Sequence, residues 1–167
     1  MNLNSNIRTI IDIGGQDSKV IRIDDTGNVV NFVMNDKCAA GTGCFLEMMA
    51  RTLGLNLDEM SKKGLTYNED ITISSMCTVF AESEVVSLVA QNKNIDDIVH
   101  GLNKSVASKT AALVSRLGLN DDFIITGGVA KNKGVVKSLE EKLGIELFVS
   151  DSAQLCGALG AALLALE

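Results

Sequence analysis

Apolar and polar positions alternate in short runs at the start of the chain. Residues 8–13 form a β-branched run that ends at Gly14-Gly15, the pattern of a buried strand entering a tight turn. Residues 19–23 alternate again, with Val20 and Ile21 packing. Asp24-Asp25-Thr26-Gly27-Asn28 is turn chemistry, and residues 29–34 make the return strand. The period then changes. Residues 42–53 predict a helix ending at Gly54, and residues 58–63 a shorter one ending at Gly64. A short strand over 71–74 and a helix over 79–91 follow. Ile95, Ile98, Val99, Leu102, Val106, Leu113 and Leu117 share one face of a long amphipathic helix closed by Gly118. A strand over 123–126, a helix over 131–143, a strand over 145–150 and a helix over 153–166 complete the chain. The apolar tail, 158–166, is too short to span a bilayer and reads as a buried helix. Strand and helix alternating at the end imply an α/β protein with a partly parallel, covered sheet.

With 167 residues the chain is expected to be one domain with a sizeable core. Its net charge of −6 leaves no basic stripe, which argues against a nucleic-acid partner because phosphate backbones need clustered Lys and Arg. The opening residues, 1–6, are polar and lack the apolar core of an export signal, so a cytoplasmic, non-membrane location is expected. In a reducing cytosol cysteines serve more often as ligands or nucleophiles than as disulfides. Four are present: Cys38, Cys44, Cys77 and Cys156. Proline is absent, and nothing in the sequence explains it.

Two glycine corners carry candidate chemistry. Neither the common phosphate loop G-x-x-x-x-G-K-[ST] nor the dinucleotide fingerprint G-x-G-x-x-G occurs. Instead Asp12-Ile13-Gly14-Gly15-Gln16-Asp17-Ser18-Lys19 sits at a strand–turn–strand corner. Glycines there let backbone N–H groups approach a phosphate, and a carboxylate at the strand end can hold Mg²⁺ or orient a water. The competing reading is a hairpin whose turn simply requires glycine. Gly127-Gly128-Val129-Ala130-Lys131-Asn132 joins a strand to a helix and could present free amides to a ligand, or be an ordinary hinge.

The cysteine contexts are more specific. Cys38 in Asn35-Asp36-Lys37-Cys38-Ala39-Ala40-Gly41-Thr42-Gly43 and Cys77 in Ser74-Ser75-Met76-Cys77-Thr78-Val79-Phe80 each precede a predicted helix. The helix dipole there favours a thiolate, and an anionic iron–sulfur cluster would gain from two such helix ends. Two sulfurs per chain fall short of four, but a two-fold dimer would supply the rest. The alternative is that both are small buried hydrophobes. Cys44 and Cys156 show no C-x-x-C spacing and read as core thiols. Glu82 and Glu84 read as surface charges or as acids near a cofactor, and His100 as surface or packing.

Taken together, residues 12–19, 35–43, 74–84 and 127–132 resemble the successive signatures of the family containing the activators of 2-hydroxyacyl-CoA dehydratases and the ATPase subunits of benzoyl-CoA reductase. The resemblance runs from about Arg8 to the C-terminus. It implies the second lobe of an acetate-kinase, actin and heat-shock-chaperone type of ATPase fold (ribonuclease H-like), a mixed sheet covered by helices. It implies residues 1–167 as a single BadF/BadG-type domain lacking most of the N-terminal lobe, with its first phosphate loop. The implied catalytic residues are Asp12 and Gln16, facing the phosphates. Gly14, Gly15, Gly127, Gly128 and Asn132 would bind ATP or ADP with Mg²⁺, with 41–43 also near the nucleotide. Cys38 and Cys77 of each subunit of a homodimer would hold one four-iron four-sulfur cluster. The implied activity is ATP-driven transfer of a low-potential electron, drawn from a ferredoxin or flavodoxin, to an acyl-CoA dehydratase or reductase component. Two other readings compete: a sugar or acyl kinase of the same fold without a cluster, and a non-catalytic docking domain.

Overall fold

The computed structural model describes residues 7–74, 77–118 and 122–166. Its sheet has the strand order β3-β2-β1-β4-β5, with β1 (Thr9–Ile13), β2 (Ser18–Ile23), β3 (Val29–Asn35), β4 (Phe123–Thr126) and β5 (Leu147–Val149). The first three strands form the antiparallel meander expected from their turn chemistry, while β4 and β5 add in parallel on the other side of β1. Register sets the two faces. Ile11 pairs with both Val20 and Ile125, and all three are fully buried on one face.

That face is covered by α4 (Ile95–Leu117), whose apolar stripe buries Ile98, Val99, Leu102 and Val106 completely. Asn94 caps the helix by accepting from the Asp96 amide, Asp96 and Asp97 suit the positive helix end, and Gly118 closes it at φ 82°. Against α4 pack α2 (Leu57–Lys63), α3 (Thr78–Ala90) and α5 (Lys133–Leu143), and α1 (Gly43–Thr52) packs on α2 and α3. Phe45 and Met49 of α1, Met60 of α2 and Leu139 of α5 reach the common core. Each such side chain contributes roughly 1.5–3 kcal/mol by leaving water.

Four expectations are corrected. Residues 71–74 form no strand. Ile71 and Ile73 are buried as their alternation suggested, but the segment lies along α4 rather than beside a strand, so it has no ladder partner. The helix expected over 131–143 is split: a 3-10 turn, Gly128–Lys131, precedes α5, with Asn132 capping α5 by accepting from Val135 N at 3.1 Å. The strand expected over 145–150 shortens to β5. The last helix, α6 (Cys156–Leu164), follows another 3-10 turn, Ala153–Leu155, and buries none of its residues. Leu159 and Leu163 are exposed, while Cys156 and Gly157 at the start of the helix line a hollow with Ile10 and Ile124 on the sheet face opposite α4.

Candidate functional site

A cleft of about 610 Å³ opens where the two glycine corners meet. Asp12, Gly14 and Gly15 contribute from the end of β1; Gly127, Gly128 and Asn132 contribute from the end of β4. Their meeting is a consequence of topology: β1 and β4 are parallel neighbours, and Asp12 is in register with Thr126, so both turns leave the same end of the sheet. Gly127 is held at φ 84°, ψ 174°, a conformation essentially confined to glycine, with its Cα against the Ile13 backbone. Its amide donates to the Ala153 carbonyl at 3.0 Å, tying the corner to the chain ahead of α6.

The first corner is fixed from the opposite side. Gly14 N donates to Asp17 O at 2.9 Å, which closes the turn. The amides of Gly43 and Cys44 at the start of α1 donate to Gly14 O and Gly15 O at 2.8 and 2.7 Å. These helix-end donors are spent on holding the turn. Gly43 also lets α1 approach, since a Cβ there would lie 3.1 Å from Gly15 Cα.

Asp12 carries the charge at the strand end. Its Oδ1 accepts from the Thr126 hydroxyl at 2.7 Å, and Lys19 Nζ lies 3.8 Å from its Oδ2 and 2.8 Å from Asp17 Oδ1. The carboxylate is thus oriented by a hydroxyl and flanked by a cation, with about a third of its side chain in contact with solvent. Such a group can bind a hydrated cation or direct a water. The expected nucleotide residues Gly14, Gly15, Gly127, Gly128 and Asn132 all line the cleft together with Asp12. Gln16 is exposed and is not among the lining residues.

Several lining residues had not been foreseen: Glu47, Asp58, Ser61 and Gln154. Ser61 anchors the far wall by accepting from Lys133 N at 2.9 Å, which joins α2 to the start of α5. Lys131, inside the quoted glycine motif, donates to Gln154 across the mouth. No periodic signal marks Ser61 or Gln154, because their role depends on helices distant in sequence.

The cysteines lie elsewhere on the surface. Cys77 is exposed and is the N-cap residue of α3, with its thiol making no capping bond. Cys38 is exposed in the loop between β3 and α1, whose helix starts only after Thr42. The loop is held: Asn35 Nδ2 donates to Cys38 O and Ala40 O at 3.0 and 3.3 Å, and Ser18 Oγ to Gly41 O at 2.6 Å. Cys38 therefore precedes its helix by a turn rather than starting it. Cys44 and Cys156, expected in the core, are half-buried, and the four cysteines form no disulfide. Among the described residues no group of three or more His, Cys, Asp and Glu side chains could enclose a metal. His100 is buried, stacked on Tyr67 with ring centres 3.5 Å apart.

The family model for the BadF/BadG/BcrA/BcrD ATPase family matches residues 1–165. The chain belongs to that family. It is 50% identical over 160 residues to the (R)-2-hydroxyglutaryl-CoA dehydratase activating ATPase of Acidaminococcus fermentans, covering 96% of this chain and 61% of that protein. It is 52% identical over 160 residues to the activator of lactoyl-CoA dehydratase from Anaerotignum propionicum, covering 96% of this chain and 62% of the relative. The solved activator of 2-hydroxyisocaproyl-CoA dehydratase from Clostridium difficile, with bound ADPNP, superposes with TM-score 0.93 at 48% identity. That superposition covers 95% of this chain and 59% of the other. The family member described here thus spans about three fifths of the length of these relatives. The fold is that of the actin-like ATPases; EutJ from Carboxydothermus hydrogenoformans shares it at TM-score 0.53 and 16% identity. Among the described residues, no helix is long and apolar enough to cross a membrane.

Proposed function

We propose that this chain is the second lobe of an ATP-coupled activator that passes an electron to a 2-hydroxyacyl-CoA dehydratase, or to a benzoyl-CoA reductase. The observation that carries this reading is a pair of exposed thiols, Cys38 and Cys77, on a chain whose two glycine corners meet in a nucleotide-sized cleft. In this reading one face of the nucleotide meets the cleft and an N-terminal lobe covers the other.

The donor set fits an iron–sulfur cluster shared between two chains. Thiolates are its ligands, both thiols reach solvent, and two per chain leave two for a symmetry mate. A second copy has a surface to meet beside Cys77: Val79, Phe80, Val86 and Val89 of α3 are all exposed. When bound, such a cluster supplies one-electron chemistry at low potential. The chain's own residues have other tasks. Asn35 and Ser18 hold the Cys38 loop, and Cys77 sits at the positive end of α3. In the cleft, Asp12, oriented by Thr126, would meet the nucleotide's Mg²⁺ or a water, and Gly127, Gly128 and Asn132 would border the adenosine. Cytoplasmic placement and a ferredoxin or flavodoxin donor belong to the same proposal.

Anaerobic reconstitution with iron and sulfide tests it. A cluster at about one per two chains, lost in both Cys38→Ser and Cys77→Ser, is expected. A folded chain that takes up no iron would sink the electron-transfer reading. If it nevertheless bound ADP, a cluster-free kinase-like domain would replace it.

A further inference from the structure

Ser18, Thr42, Ser61 and Asp97 are buried polar side chains that each bond a backbone group. Asn103 of α4 is fully buried too, yet among the described residues neither its Oδ1 nor its Nδ2 has a partner. A buried amide left unpaired bears the full desolvation cost of its polar atoms, so its presence needs a reason. The surrounding helices make room for it. A Cβ added to Gly64, which closes α2, or to Gly134, in the first turn of α5, would lie 2.2 Å from Asn103 Nδ2. The same Gly134 Cβ would lie 3.3 Å from Asn132 Oδ1, so the two asparagine side chains flank one glycine. Asn132 caps α5 with that oxygen, accepting from Val135 N at 3.1 Å, which leaves a second lone pair on Oδ1. Asn132 also lines the cleft, as does Ser61, whose bond to Lys133 N joins the two helices that enclose Asn103.

We propose that Asn103 is a positioning residue for the nucleotide site: when a nucleotide engages Asn132, Asn103 Nδ2 donates to the second lone pair of Asn132 Oδ1. The capping oxygen is then held from two sides, by Val135 N and by Asn103, and the Asn132 Nδ2 group is fixed toward the cleft. Pairing relieves the cost of the bare buried amide, and that relief adds to affinity. Asn103 itself touches no ligand, because it lies behind Asn132 and is absent from the cleft lining. The proposal rests on the nucleotide reading of the cleft and is independent of the cluster.

Calorimetry with ADP and Mg²⁺ on the full chain tests it. Loss of one hydrogen bond should weaken ADP binding by Asn103→Ala about three- to tenfold, while urea unfolding without nucleotide stays close to wild type. If Asn103 acts through Asn132, the double variant Asn103→Ala/Asn132→Ala should bind ADP no more weakly than Asn132→Ala alone. A purely structural role predicts the opposite: stability falls with affinity, and the two losses add. The wild-type protein supplies a measurement that needs no folded variant. In nitrogen-15 NMR the side-chain amide signals of Asn103 should move downfield on adding ADP, as its Nδ2 gains an acceptor. ADP binding with those signals unmoved, or with unchanged affinity in Asn103→Ala, would overturn this inference alone. A wild-type chain that binds no ADP would overturn the nucleotide reading of the cleft, and this inference with it.

Discussion

Replacing Gly127 by alanine attacks the point where the two corners of the cleft meet. Two costs add. At φ 84°, ψ 174° the backbone lies in a region that side chains essentially never adopt, a strain of about 1–3 kcal/mol. The new Cβ would also overlap the Ile13 carbonyl oxygen and lie 2.6 Å from its carbonyl carbon. Those atoms cannot retreat cheaply, because β1 is paired with β2 on one side and β4 on the other. Overpacking of this kind costs about 1–3 kcal/mol more. The expected loss is therefore about 2–6 kcal/mol, a large share of a typical total of about 5–15 kcal/mol. Gly128→Ala is the matched control, since its Cβ would find nothing nearer than Gln154 Nε2 at 3.7 Å. Urea unfolding should give that variant wild-type stability, while the methyl group, projecting at the cleft wall, weakens ADP binding in calorimetry. A Gly127→Ala protein within about 1 kcal/mol of wild type, or a Gly128→Ala protein equally destabilised, would refute the close-contact reasoning.

Other consequences concern the core and the charged surface. Asn103 is fully buried with neither amide atom hydrogen-bonded, wedged between Gly64 and Gly134. Removing an orphaned amide offsets the void it leaves, so Asn103→Ala should change unfolding stability by under about 1 kcal/mol, against about 2–5 kcal/mol for Leu102→Ala beside it. Asp24 organises the β2–β3 turn, and the Thr26 hydroxyl, then the Asn28 amide, lower its carboxyl from 3.8 to about 2. A lowered folded-state value means the stabilisation is present above 3.8 and lost as pH falls toward 2; the wild-type urea midpoint should drop across that window more than that of Asp24→Asn. Lys104 holds the Asp70 carboxyl below its ordinary value, chiefly through their hydrogen bond. Lys104→Met should raise it, as carboxylate NMR titration would register; no upward movement would contradict the assignment.

The local pattern was informative wherever an element's partner is close in sequence or its face is covered by this chain. The meander followed from turn chemistry, α4 from its stripe and cap, and the two glycine corners from residue types that only a constrained backbone needs. That the corners meet required the parallel β1–β4 pairing, which alternation implied without giving the register of Asp12 and Thr126. Ser61 and Gln154 were out of reach for the same reason: they enter the cleft through α2 and the turn before α6, joined to it only in three dimensions. The alternation over 71–74 was real, but Ile71 and Ile73 answer to α4 rather than to a ladder, and period alone cannot tell a helix surface from a neighbouring strand.

The tail shows the deeper limit. An apolar run states that a surface must be kept from water; it does not state what keeps it. Residues 158–166 read as a core helix, yet Leu159, Leu163, Leu164 and Leu166 all face outward, as do Val29, Val30 and Phe32 on β3. The α3 residues beside Cys77 repeat the pattern, with Val79 64% and Phe80 72% exposed. Scattered exposed leucines need no explanation, but apolar residues gathered on whole elements do. A chain that folds its own core around α4 and still leaves α6, β3 and α3 uncovered has surfaces suited to association. If the α3 surface seats a second copy, a charge placed there, as in Phe80→Glu, should shift the chain toward the monomer in sedimentation without lowering its unfolding midpoint. The same monomeric chain should then fail to retain iron, although both thiols remain. An oligomeric state unchanged by Phe80→Glu would remove α3 as the meeting surface and leave Cys77 without a symmetry mate at that face.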